Sequence, residues 1–229
     1  MTDDLTRFYN LLGVLAARPE QGKPLSQYTG RVAFPARGVY FFIEPGEYRA
    51  SNPTARRVVR VGTHAVSANS KSKLWGRLRT HRGGSEGGGN HRGSVFRLHV
   101  GSALLQRDRE LIGLIPTWSV GQSASREIRA SEAEHERRVS LYIGAMSVFW
   151  VGVPDEAGRD SLRSYIERNA IALLSNQLLP VDPPSPSWLG LHSVKRDIRE
   201  SGLWNLNYVS DVYEPAFLEV LNRFVDQTK

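Results

Sequence analysis

The stretch Gly38-Val-Tyr-Phe-Phe-Ile-Glu44 places five β-branched or aromatic residues in a row. Such side chains lose rotamer freedom in a helix and fit a pleated, half-buried surface, so the run predicts a strand. Pro45-Gly46 is a breaker at its end. After a polar segment through Ser51-Asn52-Pro53, the chain returns as Arg57-Val-Val-Arg-Val-Gly62, a second run of the same kind. The two read as an antiparallel hairpin with a long loop. The remaining elements have to be fitted around that pair.

Upstream, Leu5, Phe8, Leu11, Leu12 and Leu15 recur at helical spacing over residues 4–17, and Pro19, Gly22 and Pro24 end the pattern. Downstream, Leu74, Trp75 and Leu78 give a short amphipathic helix over 70–81. The glycine-rich Gly83–Asn90 stretch is irregular, because each glycine adds entropy that folding must overcome. Ser94-Val-Phe-Arg-Leu-His-Val-Gly101 alternates with period two and predicts a third strand. Ser131 and Glu134 resemble a capping box that opens a helix running to Tyr142. Val148–Val153 is a fourth strand candidate, and Asp155 to Leu174 carries Leu162, Ile166, Ala170 and Leu173 on one side of a helix. Four prolines between Pro180 and Pro186 force an extended connector, and a last helix is expected from Pro215 to Val225. This order predicts an α/β (α+β) fold: a small central, mostly antiparallel sheet flanked by helices. Residues 36–180 would form its core, 1–35 an N-terminal helical extension, and 181–229 a C-terminal elaboration packed on the core.

Composition narrows the chemistry. The 229 residues contain no cysteine, which excludes disulfide scaffolds, thiolate zinc sites and cysteine nucleophiles. No apolar run approaches the roughly 18 residues needed to span a bilayer, and the acidic opening is unlike a secretory signal. A cytoplasmic protein is therefore expected. Net charge is +7, distributed unevenly: between Thr54 and Glu110 stand 12 Lys/Arg against three acids, while the rest of the chain carries 18 against 20. A basic block of this kind is the electrostatic footprint of a polyanion, most simply nucleic acid.

Inside and beyond that block lie the residues that carry chemistry. Gly38-Val39-Tyr40 and Arg60-Val61-Gly62 sit on the two strands. Arg77 and His81, one helical turn apart, project from one face of the basic helix, and Glu167 lies in the long helix. The ordered set resembles the GIY-YIG nuclease superfamily over roughly residues 36 to 180. Gly38-Val39-Tyr40 corresponds to its first tripeptide and Arg60-Val61-Gly62 to its second. Arg77 and His81 correspond to its Arg-x-x-x-His helix, and Glu167 to its metal-binding glutamate. Two features depart from the pattern: Arg60 replaces the second tyrosine, and the gap between the tripeptides is long enough to require an enlarged hairpin. Tyr142-Ile143-Gly144 spells the literal second motif, but its place at the end of a helical pattern marks it as coincidence.

The resemblance implies hydrolysis of a phosphodiester bond. Tyr40 would position or activate the water. Arg77 would grip phosphate oxygens and stabilise the transition state, and His81 would hydrogen-bond the tyrosine or the phosphate. Glu167 would bind Mg²⁺ (or Mn²⁺), which commonly takes one or two carboxylates plus substrate phosphate. His64 is a candidate to replace the missing phenol, and Asn176 a candidate auxiliary residue, with Asn205 and Asn207 as rivals. Arg60, Lys71, Lys73, Arg79, Arg82, Arg92 and Arg97 are expected to contact nucleic acid. Gly83–Gly89 lacks the Gly-Lys-Ser/Thr of a P-loop and is expected to flex over, or be ordered by, a nucleic-acid strand. Glu132, Glu134, His135 and Glu136 read as a solvated helix face in preference to a metal site. The expected substrate is double-stranded DNA, cut in both strands by a dimer or in two successive events. The alternatives are a catalytically inactive nucleic-acid-binding module of the same fold and a nuclease of structured RNA.

Overall fold

A computed structural model of the chain describes residues 2–109, 115–158 and 160–228. Its centre is the expected hairpin. β1 (Gly38–Arg49) pairs antiparallel with β2 (Asn52–Gly62), setting Tyr40 opposite Gly62 and Phe42 opposite Arg60. The hairpin is enlarged, but not by a loop. Pro45-Gly46 does not end the first strand; the register slips after Phe42 and again towards Tyr48, and the ribbon continues to a turn at Ala50 and Ser51. Bulges of this kind accommodate a proline that would disrupt a regular ladder. β3 (Ser147–Gly152) lies antiparallel on the other side of β1, giving the order β2-β1-β3.

The sheet is covered on both faces, and the alternation of β1 assigns each side. Val39 and Phe41 join Phe149 and Val151 of β3 in a core closed by α1 (Thr2–Ala16), α5 (Leu162–Leu174) and α7 (Phe217–Gln227). Tyr40 and Phe42, with Val148 and Trp150 of β3, face the opposite core, closed by α2 (Leu74–Arg82), α3 (Val95–Arg107) and α4 (Arg126–Ala145). A short helix α6 (Arg196–Ser201) joins that second side. The expected α+β class, a small sheet flanked by helices, is the architecture observed.

Three boundaries differ from the sequence expectation. Residues 94–101 are not a strand but the start of α3, capped by Ser94, whose side chain accepts from the Arg97 amide. Phe96, Val100, Ala103 and Leu104 recur at i, i+4, i+7 and i+8 and are all buried, so the helical period wins over the shorter alternation. The α4 cap is Ser125, which accepts from Ile128 N–H, and Ser131 lies within the helix. α5 begins at Leu162 with Ser161 as its cap, not at Asp155.

Both outer edges of the sheet are paired by side-chain amides. Beyond β2, Asn205 Oδ1 accepts from Val61 N–H at 3.1 Å and its Nδ2 donates to Val61 C=O at 2.9 Å, while Trp204 N–H donates to Val59 C=O at 2.7 Å. Beyond β3, Gln21 Oε1 accepts from Trp150 N–H at 2.9 Å and its Nε2 donates to Trp150 C=O at 3.0 Å. The segment after α5 also clasps the extended part of the hairpin. Arg57 pairs with Glu47 at 2.8 Å and donates to Gly202 C=O, Arg49 pairs with Asp182 at 3.1 Å, and the buried Glu44 carboxylate accepts from Tyr142, Trp188 and Trp204. Among the described residues, no helix is long and apolar enough to cross a membrane.

Candidate active site

The pairing of β1 with its neighbours explains both motif glycines. A Cβ on Gly62 would lie 2.3 Å from the Tyr40 hydroxyl, so the residue opposite the tyrosine must leave room for the ring. A Cβ on Gly38 would meet Val151 C=O at the same separation, so β3 can approach only glycine there. Tyr40 is held over Gly62, and its hydroxyl lies 2.8 Å from His81 Nε2. His81 Nδ1 in turn lies 2.8 Å from Ser94 Oγ. Tyr40, His81 and Ser94 are all buried. Burial first, then the charges of Arg77, Arg60 and Arg97, holds the imidazole well below its usual range, so it is neutral near pH 7.

Above this buried layer opens a cleft of about 730 Å³, walled by the end of β2, α2, α3, α5 and the 204–208 segment. Arg60, Arg77, Glu167 and His99 line it together with Thr63 and Asn205. Arg60 forms part of the floor between Tyr40 and the opening. Its guanidinium stacks over Phe96 at 4.6 Å and donates to Trp204 C=O, while its Nε is buried without a hydrogen-bond partner. Glu167 accepts from Thr63 N–H at 3.1 Å through Oε1. Its neighbours in sequence are engaged elsewhere, Arg163 with Asp155 and Arg168 with Glu214. Burial pushes the Glu167 carboxyl up to about 7, against the lowering pull of Arg60, the Thr63 amide and Arg77. A carboxylate with a hydrogen-bonded oxygen, no ion pair among the described residues and a raised pKa is a good host for a divalent cation. The described residues hold no cluster of three His, Asp or Glu, so such an ion would complete its shell with water and phosphate oxygens.

Several expected site residues have other work. Arg97 is buried against Glu136, with Nε–Oε2 at 3.0 Å, and Arg92 forks onto Glu132 at 2.6 and 2.9 Å, so neither presents its charge to a ligand. The carboxylates that satisfy them belong to the α4 stretch expected to be solvated. Glu132, His135 and Glu136 are in fact buried, and only Glu134 of that group is exposed. Asn176 spends its amide on Val181 N–H, Asp182 N–H and the carbonyls of Asp182 and Ser201, fixing the proline-rich connector. Of its rivals, Asn205 and Asn207 line the cleft. His64 is turned to Ala36 C=O at 3.2 Å and held at about 4, chiefly by burial, so it does not take the place of a phenol. Arg82 lies over Trp75 and donates to Tyr28 C=O. Lys71, Lys73 and Arg79 are exposed. The glycine-rich loop closes on itself through a Gly84 N–H to Gly88 C=O bond at 2.6 Å. Tyr142-Ile143-Gly144 lies inside α4.

Two residues at the site were not anticipated. Ser94 was hidden by the strand assignment of its segment. His99, on the same helix, lines the cleft with its Nε2 buried and unpartnered and is held at about 4 by burial and by the charges of Arg60 and Lys195.

A small sheet carrying Gly-x-Tyr opposite x-x-Gly, an Arg/His helix above it and a carboxylate on a crossing helix define a nuclease-type domain. The GIY-YIG domain family model matches residues 1–229, and the chain belongs to that family. Nucleases of this family typically use divalent metal ions, and the domain implies a nucleic-acid substrate. Neither curated proteins nor solved structures give a match.

Proposed function

We propose that the chain is a metal-dependent DNA endonuclease, with residues 36–180 as the catalytic unit and the flanking segments as elaborations that buttress it. The observation that carries this reading is the convergence of Arg60, Arg77 and Glu167 on one cleft, with Arg60 reaching the Tyr40 of the Tyr40–His81 pair. Arg77, on the cleft wall, grips a phosphate oxygen and meets the charge that develops on the five-coordinate phosphorus. Arg60 takes a second oxygen. Tyr40 is enclosed in the resting conformation, so its hydroxyl becomes available when the scissile phosphate draws the Arg60 guanidinium upward. The uncovered phenol oxygen then orients the attacking water and takes its proton, with His81 steadying that oxygen. Glu167 would hold Mg²⁺ (or Mn²⁺), which when bound polarises the phosphoryl group and stabilises the leaving oxygen. The exposed Lys71, Lys73 and Arg79 supply phosphate contacts that place the duplex.

A plasmid-nicking assay tests this. Supercoiled DNA should be nicked with Mg²⁺ or Mn²⁺ and left intact with EDTA. Arg77→Ala should slow the cut by about 10²–10³-fold, the scale of losing one preorganised transition-state contact. Glu167→Gln should abolish it. Undiminished activity of Glu167→Gln would remove the metal assignment. Tight DNA binding with no cut under either metal would make the domain a binding module. Faster cleavage of structured RNA than of duplex DNA would change the substrate.

A further inference from the structure

His81 is bonded at both ring nitrogens, to Tyr40 Oη through Nε2 and to Ser94 Oγ through Nδ1, each at 2.8 Å. Ser94 Oγ also accepts from Arg97 N–H at 3.2 Å, as the cap of α3. The Arg60 guanidinium also bonds to the Tyr40 oxygen, as a donor, and neither hydroxyl has an acceptor other than His81 among the described residues. A neutral imidazole carries one N–H, and the two hydroxyls bring one proton each. Three protons therefore serve two hydrogen bonds, and with all three present one buried O–H lacks an acceptor. If the proton is released from Tyr40, the count closes: Ser94 O–H donates to Nδ1, Nε2–H donates to the phenol oxygen, and every donor is satisfied. The reverse tautomer strands the Ser94 proton in the interior, at the cost of a buried unpaired donor.

The charged groups around the imidazole favour the same outcome. Arg60 of β2, Arg77 of α2 and Arg97 of α3 face it, while Tyr40 approaches from β1 and Glu136 of α4 neutralises Arg97. Three guanidinium groups beside a fully buried imidazole keep it from taking a second proton.

We propose that Ser94 is a positioning residue of the cleavage site: its hydroxyl donates to His81 Nδ1, fixes the Nε2–H tautomer and so keeps a hydrogen bond on the Tyr40 oxygen after that oxygen has lost its proton. The inference rests on the reading of Tyr40 as the proton acceptor. The proton balance is simple. Tyr40 releases its proton to solvent, takes one from the attacking water as the oxygen–phosphorus bond forms, and returns it to solvent when the product leaves. His81 and Ser94 keep their protons throughout.

The test uses the full-length chain and two substitutions. Ser94→Gly removes the hydroxyl at a cost of only a few tenths of a kcal/mol to the helix cap, and Ser94→Thr restores a hydroxyl. ¹⁵N-edited NMR of the histidine rings, with His81 assigned through His81→Gln, reads the tautomer without metal or substrate. Removing the Ser94 hydroxyl should shift the ring towards Nδ1–H in Ser94→Gly, relative to the wild type and Ser94→Thr. In Mg²⁺-dependent plasmid nicking, Ser94→Gly should be roughly tenfold slower at neutral pH, with its acid limb moved to higher pH, while Ser94→Thr retains most of the rate. The same tautomer ratio in the wild type and Ser94→Gly, or a Ser94→Gly profile with unchanged midpoints, overturns the proposal. A wild type that does not cut, or a Tyr40→Phe variant that cuts as fast as wild type, overturns the reading of Tyr40 instead. The NMR measurement then still decides whether Ser94 sets the His81 tautomer.

Discussion

Tyr40 and Gly62 face each other across two strands, and neither is intelligible alone. The phenol reaches His81 because the opposite position has no side chain. Gly62→Ala is expected to push the ring off the imidazole, lowering stability by about 1–3 kcal/mol, the usual scale of overpacking, and suppressing nicking with it. Urea denaturation and the plasmid assay measure the two effects; an unchanged unfolding midpoint would mean that the ring has room the geometry denies. Residues fixed by local rules were legible in the sequence. Strand and helix patterns placed Tyr40, Arg77, His81 and Glu167 on their elements, and the family resemblance singled them out; the structure sets Tyr40 beside His81, and Arg77 with Glu167 in one cleft. Arg92 and Arg97 were not legible, because nothing local reveals that carboxylates about 40 residues away reach in to neutralise them. Ser94 and His99 were lost with the period of their segment.

At the level of elements, the long gap between the motif tripeptides becomes a continued ribbon, and the ribbon needs a partner. Glu44, Glu47, Arg49 and Arg57 are buried on it, and they are satisfied chiefly by the segment between Asp182 and Trp204. The enlarged hairpin and the C-terminal segment therefore make one unit. Arg57→Ala is expected to cost about 3–5 kcal/mol, because it leaves the Glu47 charge buried without its pair. Equilibrium unfolding measures this, and a loss below about 1 kcal/mol would show that water replaces the pair. The proline-glycine break misled the sequence reading here, since a bulged strand carries the same local signal as a strand end. In α3, Val95 and Val100 supplied β-branched residues that mask a helical pattern. The spacing of Phe96, Val100, Ala103 and Leu104 was present all along, and burial on one face decided between the two periods.

Over the whole molecule, burying Arg57, Arg92 and Arg97 with Glu47, Glu132 and Glu136 leaves the net charge of +7 unchanged, but it takes three cations of the basic 54–110 block away from the surface. Buried ionisable groups also set the response to acid. His64, His81, His99 and His135 are all held below 6.5, with burial as the first cause, so the unfolded chain binds protons before the folded one does. Their contribution is present above pH 6.5 and is lost as pH falls through the folded-state values. Glu167, raised by burial to about 7, acts in the opposite sense, relieving the fold as pH falls from about 7, and Glu44, also raised by burial, acts in the same direction. With four imidazoles set against two carboxyls, a net loss of stability is expected between pH 7 and 5.5. Thermal melting at the two pH values measures it, and a higher midpoint at pH 5.5 would contradict the burial of neutral imidazoles. The amides of Gln21 and Asn205 have a further consequence. A three-stranded sheet offers two open borders to any other extended chain, and each is occupied where a single side chain imitates a peptide group. An incoming strand would first have to displace these amides at Val59–Val61 or at Trp150.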